Sequence, residues 1–371
     1  MASRVFAFVG SLNRDAPYFQ GARGKGIAVL AFDEESGRAT PLSERDGVDN
    51  PTYLAVHPSR RLVYATSEVF GWNEGTVSAY RFDEQTGQLT YLNKQPTLGS
   101  ITAHCSFDRT GRFLFVANYA IGDPAELPGQ SVAVLPIRAD GSLGAPVASQ
   151  AHRGTGPNEV RQERPHAHCV LASPDNRFVV VSDLGIDKLV VYRFDAGTGQ
   201  LTPAEPPHLE LAPGAGPRHF VFHPSGRLAY CVNELDSTIA ALSFEAATGR
   251  FAILQTVPAL PTSFHEESHC ADLQITPDGR FLYASNRGHD SLTIHAVDGA
   301  SGSLTLVGHQ STMGKTPRSF AIDPTGRFVL AANQNSDSVV VFRIDTGTGR
   351  LAEVGGRAAV GTPMCVKLVR W

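Results

Sequence analysis

The stretch HPSGRLAYCVN, which runs from His223 to Asn233, decides the fold of this 371-residue chain because five further versions of it occur. Those versions begin at His57, Asp108, Ser173, Thr276 and Asp323. Successive versions are mostly about fifty residues apart, which is typical of one supersecondary unit copied along a chain. The sequence therefore predicts a repeat protein.

Each version predicts two antiparallel strands, because a turn rich in Pro, Asp, Ser and Gly lies between two apolar runs. A third apolar run follows, such as residues 76–83 or 189–195, and a TGQL or TGRL turn leads into a fourth. We call these strands a, b, c and d. Only glycine adopts a positive φ at the turn between c and d with little conformational strain. The glycines at this turn are Gly87, Gly199, Gly249, Gly302 and Gly349. Four strands per unit indicate the blade of a β-propeller.

The two ends of the chain complete the ring. Residues 5–11 and 26–42 supply b, c and d strands without an a strand, and residues 362–371 supply an a strand without successors. Pairing these ends makes a seventh blade and leaves no large unpaired edge. We therefore predict an all-β fold, a seven-bladed β-propeller closed by pairing of the N- and C-terminal strands. Residues 1–371 are expected to form a single domain.

The composition excludes several classes of partner. A formal net charge of −4, a pI near 6.3 and the lack of a basic run argue against a nucleic-acid-binding protein. The first apolar run breaks at Gly10, which is too early for a signal peptide or a membrane span. The odd number of cysteines suits small core residues in a reducing compartment. We expect a cytoplasmic protein, a monomer or a weak homo-oligomer, with no membrane partner and no cofactor.

The long irregular segments predict a binding site on one face of the ring. They are residues 12–26, 68–75, 119–130, 152–165 and 260–268. Each connects b to c or d to a, and these connections emerge on the face opposite the a-to-b turns. Long loops on one side of a regular scaffold usually build a site.

Polar residues that break the repeat converge on the same face. His168, Arg218 and Arg318 occupy one repeat position near the start of strand a, with Thr52, Ala103 and Ala271 in other blades. His166 and His269 lie two residues before that position in their blades, and Glu234 and Arg287 follow the ends of b strands. Two or three histidines, one carboxylate and three arginines are thus expected to share a pocket.

Other recurring polar residues are interpreted as structural. The turn arginines lie on the opposite face, and the residues at the ends of the b strands favour local backbone bonds. His57, His104, His219 and His223 are likewise interpreted as structural residues. Two histidines on one strand face can chelate a metal, and the HAH of residues 166–168 offers such a pair. The HxH pattern alone is a weak signal for a metal site, and the neighbouring arginines would repel a dication. We therefore expect no metal.

Four segments resemble the family of seven-bladed β-propeller lactonases. They are residues 164–195, 216–239, 271–292 and 317–345, with the PRH, NEL and SNRG motifs as the specific parts. That family includes propeller-type 6-phosphogluconolactonases, sugar-acid lactonases and the fungal carboxy-muconate cyclase. The resemblance implies a catalytic group made of His166 or His168 with Arg218 and Glu234, and an anion-binding Arg287. The N-terminal FVGSLNRD departs from the family's more usual YVGTYT.

The leading hypothesis is an enzyme that hydrolyses a sugar-acid lactone, 6-phosphogluconolactone above all. The reaction needs a base for water, an oxyanion donor and an acid for the leaving oxygen. Glu234 or His168 is the candidate base, Arg218 the oxyanion donor and His166 the acid. Substrate binding is assigned to Arg287, Arg318, Lys315 and His269, which suit a small anionic lactone.

Two alternatives remain at this point. The same residues fit a lactonase acting on other aldonate or aldarate lactones, or a carboxymuconate cycloisomerase. The chain could also be a non-enzymatic propeller that serves as an interaction scaffold, although this explains the arginine and histidine cluster poorly.

Overall fold

The computed structural model describes residues 4–120 and 129–371, and within them the chain forms seven four-stranded antiparallel sheets. In chain order the strands are β1 (Val5–Ser11), β2 (Ile27–Phe32), β3 (Ala39–Arg45), β4 (Leu54–Val56), β5 (Leu62–Ser67), β6 (Thr76–Asp83), β7 (Gln88–Pro96), β8 (Thr102–Phe107), β9 (Phe113–Asn118), β10 (Val132–Pro136), β11 (Ala148–Gln150), β12 (Ala167–Ala172), β13 (Phe178–Asp183), β14 (Lys188–Phe194), β15 (Leu201–Glu210), β16 (Pro217–Phe222), β17 (Leu228–Asn233), β18 (Thr238–Glu245), β19 (Arg250–Pro258), β20 (His269–Ile275), β21 (Phe281–Arg287), β22 (Ser291–Val297), β23 (Leu304–Ser311), β24 (Pro317–Ile322), β25 (Phe328–Asn333), β26 (Ser338–Ile344), β27 (Leu351–Ala359) and β28 (Pro363–Arg370). Two 3₁₀ turns, Leu184–Ile186 and Gln334–Ser336, follow β13 and β25. The predicted all-β, seven-bladed propeller is confirmed.

The ring closes between the two ends of the chain. One sheet has the order β28-β1-β2-β3, whereas each of the other six contains four consecutive strands. Strand β28 runs antiparallel to β1, with Val5 opposite Arg370 and Gly10 opposite Cys365. The Trp371 indole then packs on the rings of Phe6, Phe8 and Phe82, with ring centroids 5.4 to 6.3 Å apart. The predicted closure by terminal strands is confirmed.

The a strands face one another around the axis, and most contain one extra residue near their start. Neighbouring a strands are in contact all around the ring. The pairing of strands a and b slips by one residue between Ala167 and Cys169, Pro217 and His219, and Pro317 and Ser319. The residues skipped by the register are His168, Arg218 and Arg318. Such a β-bulge changes the direction in which a side chain points.

The loops and the turn arginines lie on opposite faces, as predicted. Every long loop connects b to c or d to a; of the loop 119–130, residues 121–128 lie outside the described residues. On the other face the turn arginines tie neighbouring blades together. Arg280 Nη2 donates to the Thr346 carbonyl of the next blade at 2.7 Å, and Arg327 Nη2 donates to Glu34 O at 2.9 Å. These contacts support the structural interpretation of the turn arginines.

The apolar core lies between neighbouring blades, and the glycines of the c-to-d turns fit against it. Gly249 has a φ of +80°, and a Cβ there would lie 2.5 Å from Cε1 of Phe178 in the preceding blade. Phe178 is buried with Phe220, Phe244 and Phe251. The turn therefore requires glycine for its backbone conformation and also for its close approach to a ring.

We predict that Gly249→Ala destabilises the protein more than Gly355→Ala. Gly355 has a similar φ of +77°, but a Cβ there would meet no atom within 4 Å. Both changes carry the conformational cost of a left-handed alanine, about 1 kcal/mol, and only Gly249→Ala adds overpacking of roughly 1–3 kcal/mol. Urea unfolding of the two variants measures the difference. Equal losses of unfolding free energy would contradict the packing argument.

Candidate active site

A cavity of about 850 Å³ opens on the loop face, above the bulged starts of the a strands. The a strands contribute His168 and Arg318, and the ends of the b strands contribute Glu234 and Arg287. A much smaller polar pocket lies beneath it, and His168 and Arg318 line both. The polar residues on the loop face therefore converge on one site.

Glu234 is the centre of the charges in this site. Its buried carboxylate lies 2.6 Å from Arg161 Nη2, 2.9 Å from Arg218 Nε and 3.1 Å from Arg287 Nη2. Burial alone would raise the pKa of Glu234, but Arg287, Arg218 and Arg161 together hold it well below its usual range. Glu234 is therefore a permanently charged anchor for three guanidinium groups.

Arg218 lies under the floor of the cavity. Its side chain is 3% exposed and lines the small pocket rather than the large one. Nη1 donates to the Ala271 carbonyl at 2.5 Å, while Nε faces Glu234. Burial and the charge of Arg287 lower the pKa of Arg218 to about 10, so the guanidinium is still protonated at neutral pH. Arg218 therefore pairs with the Glu234 carboxylate from beneath the cavity.

The two histidines of the HAH segment have different environments. His166 stacks on Tyr119 with ring centroids 4.2 Å apart, its Nδ1–H donates to Tyr119 O at 2.7 Å, and its Nε2 lies 3.1 Å from Glu163 Oε2. A protonated His166 thus has an acceptor at each nitrogen. Burial, and then the charge of Arg218, hold the pKa of His168 well below its usual range. His168 is therefore neutral at pH 7, with a free lone pair.

Glu68 provides a second buried carboxylate, on the opposite wall of the cavity. Glu68 accepts hydrogen bonds from Tyr18 Oη at 2.8 Å and from Thr52 Oγ1 at 2.7 Å. Arg318 lies 4.0 Å from Glu68 and 5.1 Å from the centre of the Tyr18 ring. Because the contact with Glu68 is too long for a hydrogen bond, the N–H donors of Arg318 remain available to a ligand.

The structure brings together most of the residues that the sequence singled out. The cavity is lined by His166, His168, Glu234, His269, Arg287 and Arg318. Arg218 lies one layer below them. Lys315 is exposed and is not among the residues that line the cavity, because its loop turns it outwards and its backbone N–H donates to Ser336 Oγ. The structure thus gives no support to Lys315 as a substrate-binding residue.

Sequence reasoning missed several residues of the site. Arg161 and Tyr18 lie in long loops outside the repeat, whereas Glu68 and Tyr119 directly follow b strands, at the repeat position of Glu234 and Arg287. The available signal for Arg161 was the Asn158 turn, in which Asn158 Oδ1 accepts the backbone N–H of Arg161 at 3.0 Å. That turn fixes a local backbone conformation but does not reveal which blade the arginine will face.

The cysteines lie in the interior of the protein. All five cysteines are buried and free, and burial raises the pKa of Cys169 to about 12. This agrees with their interpretation as core residues.

Across residues 4–120 and 129–371, no group of three or more His, Cys, Asp or Glu side chains is arranged to hold a metal ion. His166 and His168 do not form the start of such a group.

Comparisons with known proteins agree on one family. The family described as "Lactonase, 7-bladed beta-propeller" matches residues 6–368. A 6-phosphogluconolactonase of Bacillus subtilis is 39% identical over 81% of each chain, and one of Formosa agariphila is 34% identical over 85% of this chain and 86% of its own. The solved structure of a periplasmic gluconolactonase from Pseudomonas aeruginosa is 36% identical, covers 99% of each chain and has a TM-score of 0.89.

The location and the oligomeric state stay predictions. The similar P. aeruginosa protein is periplasmic, whereas a cytoplasmic location was expected for this chain. In the part of the chain that the structure describes, no helix has the length and apolar character needed to cross a membrane.

We predict that Glu234→Gln lowers stability far more than Glu44→Gln. The first change leaves three guanidinium groups without their shared counter-charge, and removing one partner of a buried ion pair costs roughly 3–5 kcal/mol. Glu44 pairs with Lys25 at 2.8 Å on the surface, so its loss should matter little. Chemical denaturation at pH 7 compares the two variants. A Glu234→Gln protein as stable as Glu44→Gln would show that Glu234 does not hold the cluster.

Proposed function

This chain belongs to the family of seven-bladed β-propeller lactonases, and we propose that its cavity hydrolyses the lactone of a sugar acid, with 6-phosphogluconolactone as the first candidate substrate. The observation that carries the proposal is the pair His166 and His168 beside cavity-facing guanidinium groups. This set offers a base, an acid and an oxyanion donor within one site.

His168 is proposed as the general base. It lines the cavity and is neutral at pH 7, so it can accept a proton from an attacking water. Glu234 was the other candidate from the sequence. Both carboxylate oxygens of Glu234 face guanidinium groups, so neither is free to receive a proton from an attacking water. We therefore give it the role of electrostatic anchor.

Arg318 is proposed as the oxyanion donor. The sequence suggested Arg218, but Arg218 is sealed below the floor and Nη1 is already bonded to the Ala271 carbonyl. Arg318 faces the cavity beside His168 and keeps its N–H donors free. A planar guanidinium with free donors suits the negative charge that develops on the carbonyl oxygen.

The proposed hydrolysis proceeds in two steps. Water adds to the lactone carbonyl carbon while its proton passes to His168, and the resulting oxyanion faces Arg318. As the tetrahedral intermediate collapses, the bond between the carbonyl carbon and the ring oxygen breaks and His166 donates a proton to that oxygen. The product is the open hydroxy acid. His168 releases its proton to solvent, and His166 is protonated again.

A second candidate substrate is an unphosphorylated lactone such as gluconolactone. Each guanidinium that lines the cavity already faces a carboxylate: Arg161 and Arg287 face Glu234, and Arg318 faces Glu68. A phosphate dianion would have to share these guanidinium groups with the carboxylates, whereas an uncharged lactone would not. The 36% identical structure from P. aeruginosa is named as a gluconolactonase, which agrees with this candidate.

The test is a substrate panel with purified protein. 6-Phosphogluconolactone, gluconolactone, an aldarolactone and carboxymuconate are assayed separately, with the spontaneous opening of each lactone subtracted. The proposal expects rapid opening of one or both of the first two substrates. Turnover of carboxymuconate alone would replace hydrolysis with cycloisomerisation, and turnover of none of the four would overturn the proposed function.

We predict that His168→Gln lowers kcat by about 10²–10⁴-fold, the usual contribution of a general base. A base must be unprotonated, so the lowered pKa of His168 keeps the wild-type enzyme active as the pH falls through 6.5 and places its acid limb well below that value. The pH profile of kcat/KM measures the limb. His57→Gln is the matched control, because His57 is also buried but bonds Gly111 O on the opposite face. If His168→Gln still shows an acid limb near pH 6.5, the general base is another group.

A further inference from the structure

A second layer of side chains surrounds the axis directly below the bulged residues. Each blade contributes the residue that follows the bulge position. The members are Tyr53, His104, Cys169, His219, Asp272, Ser319 and Cys365. We call this layer the axial ring. All of its members are buried, and several contact each other from blade to blade, so the axial ring forms a packed layer beneath Arg218 and the cavity.

Asp272 is the one carboxylate of the axial ring, and its acceptors are fully used. Oδ1 accepts from His219 Nδ1 at 2.9 Å and from the Leu273 backbone N–H at 2.9 Å. Oδ2 accepts from Ser319 Oγ at 3.0 Å and from the Phe320 backbone N–H at 3.1 Å. These bonds join the a strands of three successive blades, β16, β20 and β24.

The bond to Asp272 fixes the tautomer of His219. Because Nδ1 donates to an ionised carboxylate, the proton of the neutral ring is on Nδ1 and the lone pair is on Nε2. Burial and the charge of Arg218 lower the pKa of His219 to about 4, so the ring is neutral at pH 7. Nε2 lies 3.4 Å from Arg218 Nη1 and accepts from it. The residue before Asp272 supplies the carbonyl of Ala271, which accepts from the same Nη1 at 2.5 Å.

We propose that His219 and Asp272 are positioning residues for Arg218, an inference that rests on the proposed lactonase function. A chain of contacts runs from Asp272 through His219 to Arg218 and from there to Glu234. Glu234 in turn holds Arg161 and Arg287 in the cavity wall. Neither His219 nor Asp272 lines the large cavity, so they do not touch the substrate. Besides its bond with Arg218, the His219 ring packs edge-on against His168, with ring centroids 5.2 Å apart.

The tautomer is the property that this pair controls. If Nε2 of His219 carried the proton, an N–H would face the N–H of Arg218 Nη1, and the guanidinium would have to move. Asp272 prevents this, because its carboxylate can only accept at Oδ1. Asn at position 272 would place an amide NH₂ against either the His219 and Leu273 donors or the Phe320 N–H. Both placements set a donor against a donor.

The central experiment compares His219→Phe with His104→Phe. Both histidines are buried members of the axial ring with ring centroids 5.5 Å apart, but His104 contacts Val170 N and Cys169 Sγ rather than Arg218. After correction for the folded fraction, His219→Phe should lower kcat by roughly 10- to 100-fold, because small misplacements of the reacting environment are costly. KM should rise as well, because the chain of contacts from His219 ends at Arg161 and Arg287 in the cavity wall. His104→Phe should keep kcat near the wild-type value.

Two further variants and one measurement without substrate complete the test. His219→Gln has one amide donor and one acceptor, so it should restore part of the lost kcat, whereas Asp272→Asn should resemble His219→Phe. Guanidinium ¹⁵N NMR reports whether Arg218 is held: its N–H signals should be sharp in the wild type and in His104→Phe, and broadened in His219→Phe.

Equal kcat values for His219→Phe and His104→Phe, or Arg218 signals unchanged by His219→Phe, would overturn the proposal. The NMR result is independent of turnover. If the wild type opened no lactone, the proposed function would fail, while the Arg218 signals would still decide whether His219 and Asp272 position this side chain.

Discussion

The extra residue near the start of the inner strands is the constraint from which the site follows. A regular strand would alternate its side chains between two faces. The bulge interrupts this alternation, so two consecutive residues, Arg218 and His219, both reach the small pocket at the axis. Because six of the seven blades repeat the feature around a closed ring, the residues at one height are brought together regardless of their separation in sequence.

Unequal residues at the bulge position turn a symmetric ring into a site. Strict repetition would bring seven identical side chains to one height, which would either fill the axis with apolar groups or crowd seven like charges. Here Ala103 leaves room in both pockets, His168 supplies a neutral imidazole, and Arg218 and Arg318 supply positive charge. Ala271 contributes its backbone carbonyl, which is the hydrogen-bond acceptor for Arg218.

The sequence could predict what the repeat dictates and little else. Strand order, terminal closure, the loop face and the shared height of His168, Arg218 and Arg318 all depend on a period that is visible in the letters. Arg161 was missed because loop conformations depend on contacts that occur once in the chain, whereas Glu68 shares the repeat position of Glu234 and was within reach of the period. His219 was interpreted as structural because period-two reasoning does not anticipate two adjacent residues facing one pocket. The direction of the Lys315 side chain, like that of Arg161, depends on its loop alone, so the period could not place it.

Under the proposed function, the burial of each guanidinium decides whether a charged substrate can share it. Arg218 is sealed between Glu234 and the axial ring, so a ligand cannot approach it without dismantling the floor. Arg161 comes from a loop, is 33% exposed and meets Glu234 through Nη2. An entering phosphate or carboxylate group can bind the remaining N–H groups of Arg161 while that contact persists, because a guanidinium offers five donors. Under the proposed function, Arg161 from a loop and Arg318 from an inner strand are therefore the cations that a charged substrate can share.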